Sequence, residues 1–117
     1  MAKLGPLTPA ERLYIGRRRR DETQAEAAKR HGVAVGRYAN WEAGKVPTPA
    51  WVMRTGLKRE RLGALRVFER CVIYRRRAGW TLPKVAQAIG RSAYWIQEME
   101  AGRERCDELL TFWMGRE

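Results

Sequence analysis

The chain has 117 residues, of which 44% are hydrophobic and 32% charged, and its formal net charge is +11. No stretch approaches the roughly 18 consecutive apolar residues that a membrane-spanning helix needs, and the opening residues, MAKLGPLTP, lack the apolar core of a secretion signal. We therefore expect no membrane partner and a cytoplasmic protein, and the basic charge of both halves favours a polyanion as the partner.

The first helix is predicted to begin at Thr8 and to end with a run of four arginines. Thr8 is a good N-cap, Pro9 suits the first helical position, and Glu11 is placed to complete a capping box. Leu13 is the clearest core residue of this helix. The arginines, Arg17–Arg20, cover a full turn, so at least one must point inward or along the domain edge.

The next segment predicts two short helices joined by a tight turn. Thr23 caps the first of them, with Glu26 three residues on, and Gly32 ends it because glycine adopts the left-handed conformation without strain. The second helix is expected over residues 34–42, before Gly44 stops it. A helix, a turn containing glycine and a second helix are the sequence form of the DNA-binding helix-turn-helix.

The segment that joins the two halves has two interpretations. A fourth helix is predicted over residues 50–54, with Trp51 as a packing residue. In the first interpretation residues 57–78 then form one long helix, because their apolar residues lie near helical spacing. In the second, Gly63 splits this segment and a new helix begins near Leu65.

The remaining residues predict three more helices. Thr81 caps a helix that runs to residue 89, and Ser92 caps another that runs to about residue 100. A last, nearly all-apolar helix is expected over residues 107–114, and it either packs on its own domain or forms a dimer contact.

The second half repeats the first. Adding 58 to residue numbers 11–45 gives residues 69–103, and the two segments are identical at helix caps, turns and one charged couple. A repeat of this length is a whole small domain. We therefore predict an all-α protein with two domains, residues 1–56 and 66–117, joined by a helical linker, residues 57–65.

Three segments of the first half form a recognisable series. They are residues 23–28, TQAEAA, then Gly32-Val33, then residues 38–44, YANWEAG. The series resembles the Ser/Thr-Gln-x-Glu-Leu-Ala signature, the Gly-Val turn and the Ile-Ser-x-Trp-Glu-x-Gly segment of the Xre, or lambda-repressor-like, helix-turn-helix proteins of phages and bacteria.

The second half is similar to the same family with more departures. Leu82 replaces the signature Gln and Met99 replaces the Trp, whereas Ile96 fits the pattern. The resemblance extends over residues 8–56 and 65–114 and implies two lambda-repressor-like helix-turn-helix domains in tandem.

This resemblance implies that the helix over residues 34–42 is a recognition helix. Arg37 can form two hydrogen bonds with guanine, and Asn40 can either do the same with adenine or hold phosphate. Gln24 resembles a phosphate clamp at a helix N-terminus, and Lys45 is expected to contact phosphate. The residues expected to face outward are Val35, Gly36, Arg37, Ala39 and Asn40.

The equivalent surface of the second half has two interpretations. Its predicted DNA-binding residues are Arg91, Ser92, Tyr94, Trp95, Gln97 and Arg103. In the first interpretation, Gln97 and Arg91 contact a second half-site, which the net charge of residues 57–117, with 13 basic and 8 acidic residues, favours. In the second, Tyr94 and Trp95 anchor a protein contact, because Glu98 would repel phosphate.

Two ion pairs are expected inside the domains. Arg17 with Glu42, and at the equivalent positions Arg75 with Glu100, resemble the family's salt bridge between the first and third helices. We expect them to be structural, because removing one partner of a buried pair leaves an uncompensated charge.

Catalysis and metal binding have no counterpart in the sequence. Cys71 and Cys106 lack the spacing of metal ligands and are expected to be reduced thiols. There is no catalytic triad, carboxylate pair or phosphate loop, so we expect no enzymatic activity, no cofactor and no metal.

The sequence thus favours a sequence-specific regulator that binds double-stranded DNA, expected to be a repressor of a phage or mobile element in a bacterial cytoplasm. Two fused domains would act as a pseudo-dimer on successive major grooves, so that a monomer binds, and a homodimer stays open. The alternative is a protein-interaction module with DNA contact, such as an antitoxin or a small-terminase-like assembly factor. A third, weaker interpretation is a nonspecific nucleic-acid coat.

Overall fold

The structure, a computed structural model, describes residues 5–52 and 65–116. Every regular element in these ranges is an α-helix, and the chain divides into two compact units, the first Pro6–Gly63 and the second mainly Ala64–Glu117. The helices are α1 (Pro9–Arg19), α2 (Gln24–His31), α3 (Val35–Ala43), α4 (Ala50–Val52), α5 (Val67–Ala78), α6 (Leu82–Ile89), α7 (Ala93–Glu100) and α8 (Asp107–Met114). Within the described ranges, none of these helices has the length and apolar character required to span a membrane.

The helices of the first unit surround one apolar core. Its buried residues are Leu13, Ala27, Ala28, Tyr38, Trp41 and Val52. α3 packs against both α1 and α2, and the small side chains of Ala27 and Ala28 allow α2 to approach closely. Trp51, predicted to pack, is 40% exposed, and its ring meets that of Trp41 edge-on at 6.0 Å between centroids.

Capping boxes begin the first two helices, as predicted. The Thr8 hydroxyl accepts the Glu11 N–H at 3.2 Å, and the Glu11 carboxylate accepts the Thr8 N–H at 2.9 Å. Thr23 and Glu26 repeat this exchange at 3.1 and 2.9 Å. Both boxes satisfy N–H groups that a helix start would otherwise leave unpaired.

The turn between α2 and α3 depends on glycine. Gly32 has φ +71, in the left-handed region, and the Val33 N–H closes the turn on the Ala28 carbonyl at 3.0 Å. Ala34 stands at the N-cap of α3 without a side-chain hydrogen bond, so α3 is held by its packing and not by its cap.

The second unit has its own core, to which α5, α6, α7 and α8 contribute. α7 packs against α5 and α6, and α8 packs against α5. Leu109 and Trp113 of α8 are 0% and 2% exposed. The apolar residues of α8 therefore pack into the core of their own unit. This is the first of the two interpretations that the sequence left open for this helix.

The repeat found in the sequence is present in the helix boundaries. α2 and α6 coincide residue for residue at an offset of 58, and Pro9 and Val67, the first residues of α1 and α5, do so too. The turns agree as well, since Gly32 and Gly90 have φ values of +71 and +83.

The structure corrects one of the two interpretations of the segment that joins the two halves. Leu65 and Arg66 lie outside any helix, and α5 begins at Val67. A single helix over residues 57–78 is therefore wrong, and the helix expected near Leu65 starts two residues later. Its start is set by Glu69, whose carboxylate accepts the Arg66 N–H at 2.9 Å. The predicted break at Gly63, the end of the fourth helix at residue 54 and most of the helical linker lie outside the described residues.

Candidate nucleic-acid interface

α3 of the first unit has a buried face and an exposed face. Tyr38 and Trp41 are each 1% exposed and Glu42 is 2% exposed, so these side chains hold the helix against the core. On the other face, the exposed residues are Val35, Gly36, Arg37 and Asn40, and Ala39 is half-buried. This face offers a guanidinium, an amide and the bare backbone of a glycine to a partner.

An ion pair fixes α3 to α1. The Nε and Nη2 atoms of Arg17 donate to the two carboxylate oxygens of Glu42 at 2.6 and 3.2 Å, a bidentate arrangement. Nη1 of Arg17 donates to the backbone carbonyl of Glu22 at 2.9 Å. Burial disfavours the charge of Arg17, but the hydrogen bonds and the charge of Glu42 outweigh it, so the pKa of Arg17 is raised. The pair expected from the sequence is present, and it positions α3.

Glu42 also contacts two further side chains. Nε2 of Gln24 donates to its Oε1 atom at 3.2 Å. Burial, together with the charge and hydrogen bonding of Glu42, raises the pKa of Tyr38. Gln24 was predicted to bind phosphate, and an amide nitrogen carries two N–H groups. The contact with Glu42 therefore orients Gln24 without using all its donors, and the phosphate contact stays a prediction.

Two cations at this surface have no carboxylate partner among the described residues. Cζ of Arg37 lies 5.5 Å from the centroid of the Trp41 ring, a cation–π distance. Lys45 is exposed directly after α3. The chain turns there because Gly44 has φ +74, and the Lys45 N–H donates to the Asn40 carbonyl at 3.0 Å. Both charges are therefore available to an anion.

α7 of the second unit presents a different surface. Ile96 and Met99 face the core, Tyr94 is 68% exposed, and Gln97 is exposed. Trp95, predicted to face outward, is half-buried: it packs against the apolar core, and its indole nitrogen is buried. Trp95 therefore turns part of its ring to the core, where an indole gains by leaving water, and the DNA contact predicted for it stays a prediction.

Arg91 and Arg103, which were predicted to bind DNA, are both paired with carboxylates. Nη2 and Nε of Arg91 lie 2.9 and 3.2 Å from the carboxylate oxygens of Glu108. Nη2 and Nε of Arg103 lie 2.6 and 2.7 Å from Oε2 of Glu98. The Tyr94 hydroxyl donates to Oε1 of the same Glu98 at 3.2 Å. The charged groups around α7 therefore neutralise one another.

The pKa values of these groups follow the pairing. Hydrogen bonding from Arg103, with a smaller contribution from Tyr94, lowers the pKa of Glu98. Hydrogen bonding with Arg91 lowers the pKa of Glu108, and the same contact raises the pKa of Arg91. Both carboxylates consequently stay ionised at neutral pH.

The internal support of α7 matches that of α3. Nε and Nη2 of Arg75 donate to the carboxylate of Glu100 at 2.7 and 3.0 Å, and Nη1 donates to the Trp80 carbonyl at 3.1 Å. Ser92 caps the helix, since its Oγ accepts the Trp95 N–H at 3.1 Å. The second expected ion pair is thus present, while the DNA contact predicted for Ser92 stays a prediction.

Two of these contacts were absent from the sequence-based prediction. Arg91 and Glu108 are 17 residues apart on different elements, and no local pattern announces their contact. Glu98 and Arg103 could have been found, because at an offset of 58 they correspond to Asn40 and Lys45. A carboxylate in place of that amide, beside a cation retained in both halves, predicts an ion pair.

The two cysteines lie in the core of the second unit. Cys71 and Cys106 are buried and form no disulfide. Burial is the main cause that raises the pKa of each thiol, so both are in the protonated, unreactive form. Within the described ranges, no group of three or more His, Cys, Asp or Glu residues is placed to hold a metal ion.

Comparison with known proteins gives no assignment. A scan against protein-family models, a search of curated proteins and a search of solved structures found no match to this chain. The resemblance to the Xre family therefore depends on the sequence segments quoted above, and the surfaces of α3 and α7 are interpreted from their own chemistry.

Proposed function

We propose that this protein is a sequence-specific regulator that binds double-stranded DNA, of the lambda-repressor-like helix-turn-helix type, with α3 as its recognition helix. The observation that carries the proposal is the outward face of α3, where Arg37 and Asn40 are exposed on a helix held by the Arg17–Glu42 pair. Arginine pairs with the guanine edge and asparagine with the adenine edge in the major groove. The net charge of +11 adds a general attraction to phosphate.

The remaining residues of the first unit have supporting roles in this proposal. Gln24, at the start of α2, and Lys45, after α3, contact the phosphate backbone and fix the register of the helix. Val35 contacts the methyl group of a thymine, and Gly36 lets the helix backbone approach the bases. These roles agree with the exposure of all but Gln24, which is half-buried.

The second unit makes the chain a covalent pseudo-dimer in this proposal. Members of this motif class place two recognition helices in major grooves roughly 34 Å apart, and this usually takes two chains. Here α7 would occupy the second groove, so that one chain binds one operator, which need not be palindromic. Linking the domains raises the effective concentration at the second site. We further propose that the protein acts as a repressor in a bacterial cytoplasm, without catalysis or a cofactor.

The experiment is a selection from random duplexes, followed by footprinting and a measurement of stoichiometry. We expect one chain per site and protection of two successive grooves. The double substitution Arg37→Ala with Asn40→Ala should remove the sequence preference, at about 1–3 kcal/mol per lost base contact, while circular dichroism shows unchanged helical content.

Arg12→Ala is the matched control, because Arg12 is an exposed arginine on α1 and its loss changes the charge equally. It should leave the preference intact. A preference that survives the double substitution, or binding that is equal for every duplex at moderate salt, would contradict the proposal.

A second function is favoured by the surface of α7. Tyr94 is 68% exposed, and the charges near it are paired within the chain, as suits an anchor in a protein contact. On this alternative the chain is a protein-interaction module with DNA contact, such as an antitoxin or a small-terminase-like assembly factor. It predicts co-purification with a toxin or a large terminase subunit, and loss of that complex in Tyr94→Ala.

A further inference from the structure

At one pair of equivalent positions, the two units share the same backbone hydrogen bond but carry different side chains. Asn40 and Glu98 correspond at an offset of 58, and so do Lys45 and Arg103. In both units the N–H of the second position donates to the carbonyl of the first at 3.0 Å. The cation is therefore presented by the same turn, but in the second unit a carboxylate stands where the first has an amide.

This carboxylate is closely engaged. Glu98 accepts a hydrogen bond from Nε of Arg103 at 2.7 Å and one from the hydroxyl of Tyr94 at 3.2 Å, and its Oε2 atom lies 2.6 Å from Nη2 of Arg103. The side chain of Glu98 is 16% exposed and that of Arg103 is 62% exposed. The carboxylate is the inner partner, and the guanidinium is the outer partner that an approaching ligand meets first.

The other guanidinium near α7 is held in a similar way. Arg91 donates to both carboxylate oxygens of Glu108, and their side chains are 48% and 44% exposed. In the first unit, by contrast, Arg37 and Lys45 have no carboxylate partner among the described residues. In the second unit, two carboxylates therefore occupy N–H groups of Arg91 and Arg103, the two arginines predicted to bind DNA.

A phosphate must compete with these acids. Carboxylate and phosphate both use charge-assisted, bidentate hydrogen bonds to arginine, so one excludes the other from the same N–H groups. An arginine already neutralised by a carboxylate also displaces fewer counterions from DNA. Exposed ion pairs are individually weak, so the acids reduce phosphate binding without abolishing it.

We propose that Glu98 and Glu108 mask Arg103 and Arg91 from the DNA backbone, so that the second unit holds phosphate more weakly than the first. The inference rests on the proposed function and adds an inequality between the two halves. Glu98 and Glu108 would therefore lower the affinity for DNA. The first unit would supply most of the electrostatic attraction to the DNA backbone, and the second unit would bind mainly through its remaining surface.

The test is the salt dependence of binding by the full chain to a duplex that spans two successive major grooves. Glu98→Gln and Glu108→Gln should each raise affinity at low salt and steepen the slope of log K against log salt by up to about 0.9, the value for one complete phosphate contact. That slope corresponds to an additional loss of about 3.5-fold between 50 and 200 mM salt. Adding Arg103→Gln to Glu98→Gln should abolish this steepening, because the unmasked cation is then absent.

Glu104→Gln is the matched control. It removes the same charge from an exposed acid beside Arg103 that has no partner among the described residues, so it should leave the slope unchanged. We call Glu98→Gln and Glu108→Gln the mask variants. If their slopes equal that of the control, the proposal is overturned, because the change in net charge would then explain any gain in DNA affinity. A slope that becomes shallower in Glu98→Gln would overturn it as well.

The failure of this inference differs from the failure of the proposed function. If wild type binds selected and scrambled duplexes alike, sequence-specific recognition fails, yet the slopes still test masking on either duplex. If the sequence preference is intact and depends on Arg37 while the mask variants match Glu104→Gln, masking alone fails.

Discussion

In both units a bidentate ion pair ties the third helix of the unit to its first, with Nε–carboxylate distances of 2.6 Å for Arg17–Glu42 and 2.7 Å for Arg75–Glu100. The surfaces that these two helices present differ. α3 offers a glycine, an amide and cations without acidic partners among the described residues, whereas α7 offers the 68% exposed Tyr94 and charges that are paired.

The difference shows that the support of the helix and the chemistry of its surface are separate requirements. A buried charge needs its partner wherever it occurs, so both units keep the same arginine and glutamate. Surface residues are not held by that requirement, and the two halves have diverged there. We call the two ion pairs, Arg17–Glu42 and Arg75–Glu100, the frame of each unit. Substitutions in the frame should therefore affect the stability of both units alike, and substitutions on the exposed surfaces of α3 and α7 should not.

The largest expected effect comes from breaking the frame. Glu42→Ala leaves Arg17 with a side chain only 16% exposed and without its carboxylate, which should lower the free energy of unfolding of the first unit by about 3–5 kcal/mol. Glu100→Ala should cost the second unit a similar amount, since Arg75 is 17% exposed. Urea denaturation followed by circular dichroism measures both.

Glu104→Ala, at an exposed acid, is the control for these variants and should change the unfolding free energy very little. A loss below about 1 kcal/mol in either frame variant would mean that the pair is solvated like a surface salt bridge. Unequal losses would show that the two frames are not equivalent in energy, in spite of their equal geometry.

A smaller effect separates the two units at the glycine after the third helix. Gly44 and Gly102 have φ values of +74 and +81, so alanine at either costs about 1–2 kcal/mol. A Cβ at Gly44 would lie 3.9 Å from Ala10, but at Gly102 it would lie 2.8 Å from the ring of Phe68. Gly102→Ala should therefore cost roughly 1 kcal/mol more than Gly44→Ala in thermal or urea unfolding.

The excess at Gly102 depends on Phe68, which is half-buried and can yield in part. In a Phe68→Ala background, alanine at Gly102 should cost no more than alanine at Gly44. An excess that persists without the ring would place its cause in the backbone of the second unit.

Local chemistry made most of the fold predictable from the sequence. The capping boxes at Thr8 and Thr23, the turn at Gly32 and the cap at Ser92 are short-range interactions, and all are present where expected. The start of α5 was less predictable, because apolar residues lie near helical spacing on both sides of the point where the helix begins. There Glu69 selects the start by accepting the N–H of Arg66.

The candidate site was predictable to the extent that it follows helical periodicity. Four of the five residues expected to face outward from α3 are exposed and Ala39 is half-buried, since Tyr38 and Trp41 determine which face is buried. Trp95 breaks this pattern because a large ring at the margin of a helix can fold back on the core. The contact of Arg91 with Glu108 depends on the tertiary placement of α8 and has no local sequence pattern.

The smallest effect compares two cations at equivalent positions. Lys45→Ala should make the slope of log K against log salt shallower by about 0.9, because Lys45 has no carboxylate partner among the described residues. Arg103→Ala should change the slope clearly less, because Glu98 already neutralises its charge. Lys29→Ala, at an exposed lysine of α2, controls for net charge. Equal slopes for Lys45→Ala and Arg103→Ala would mean that phosphate displaces Glu98 completely, and the electrostatic distinction between the two surfaces would then vanish on DNA.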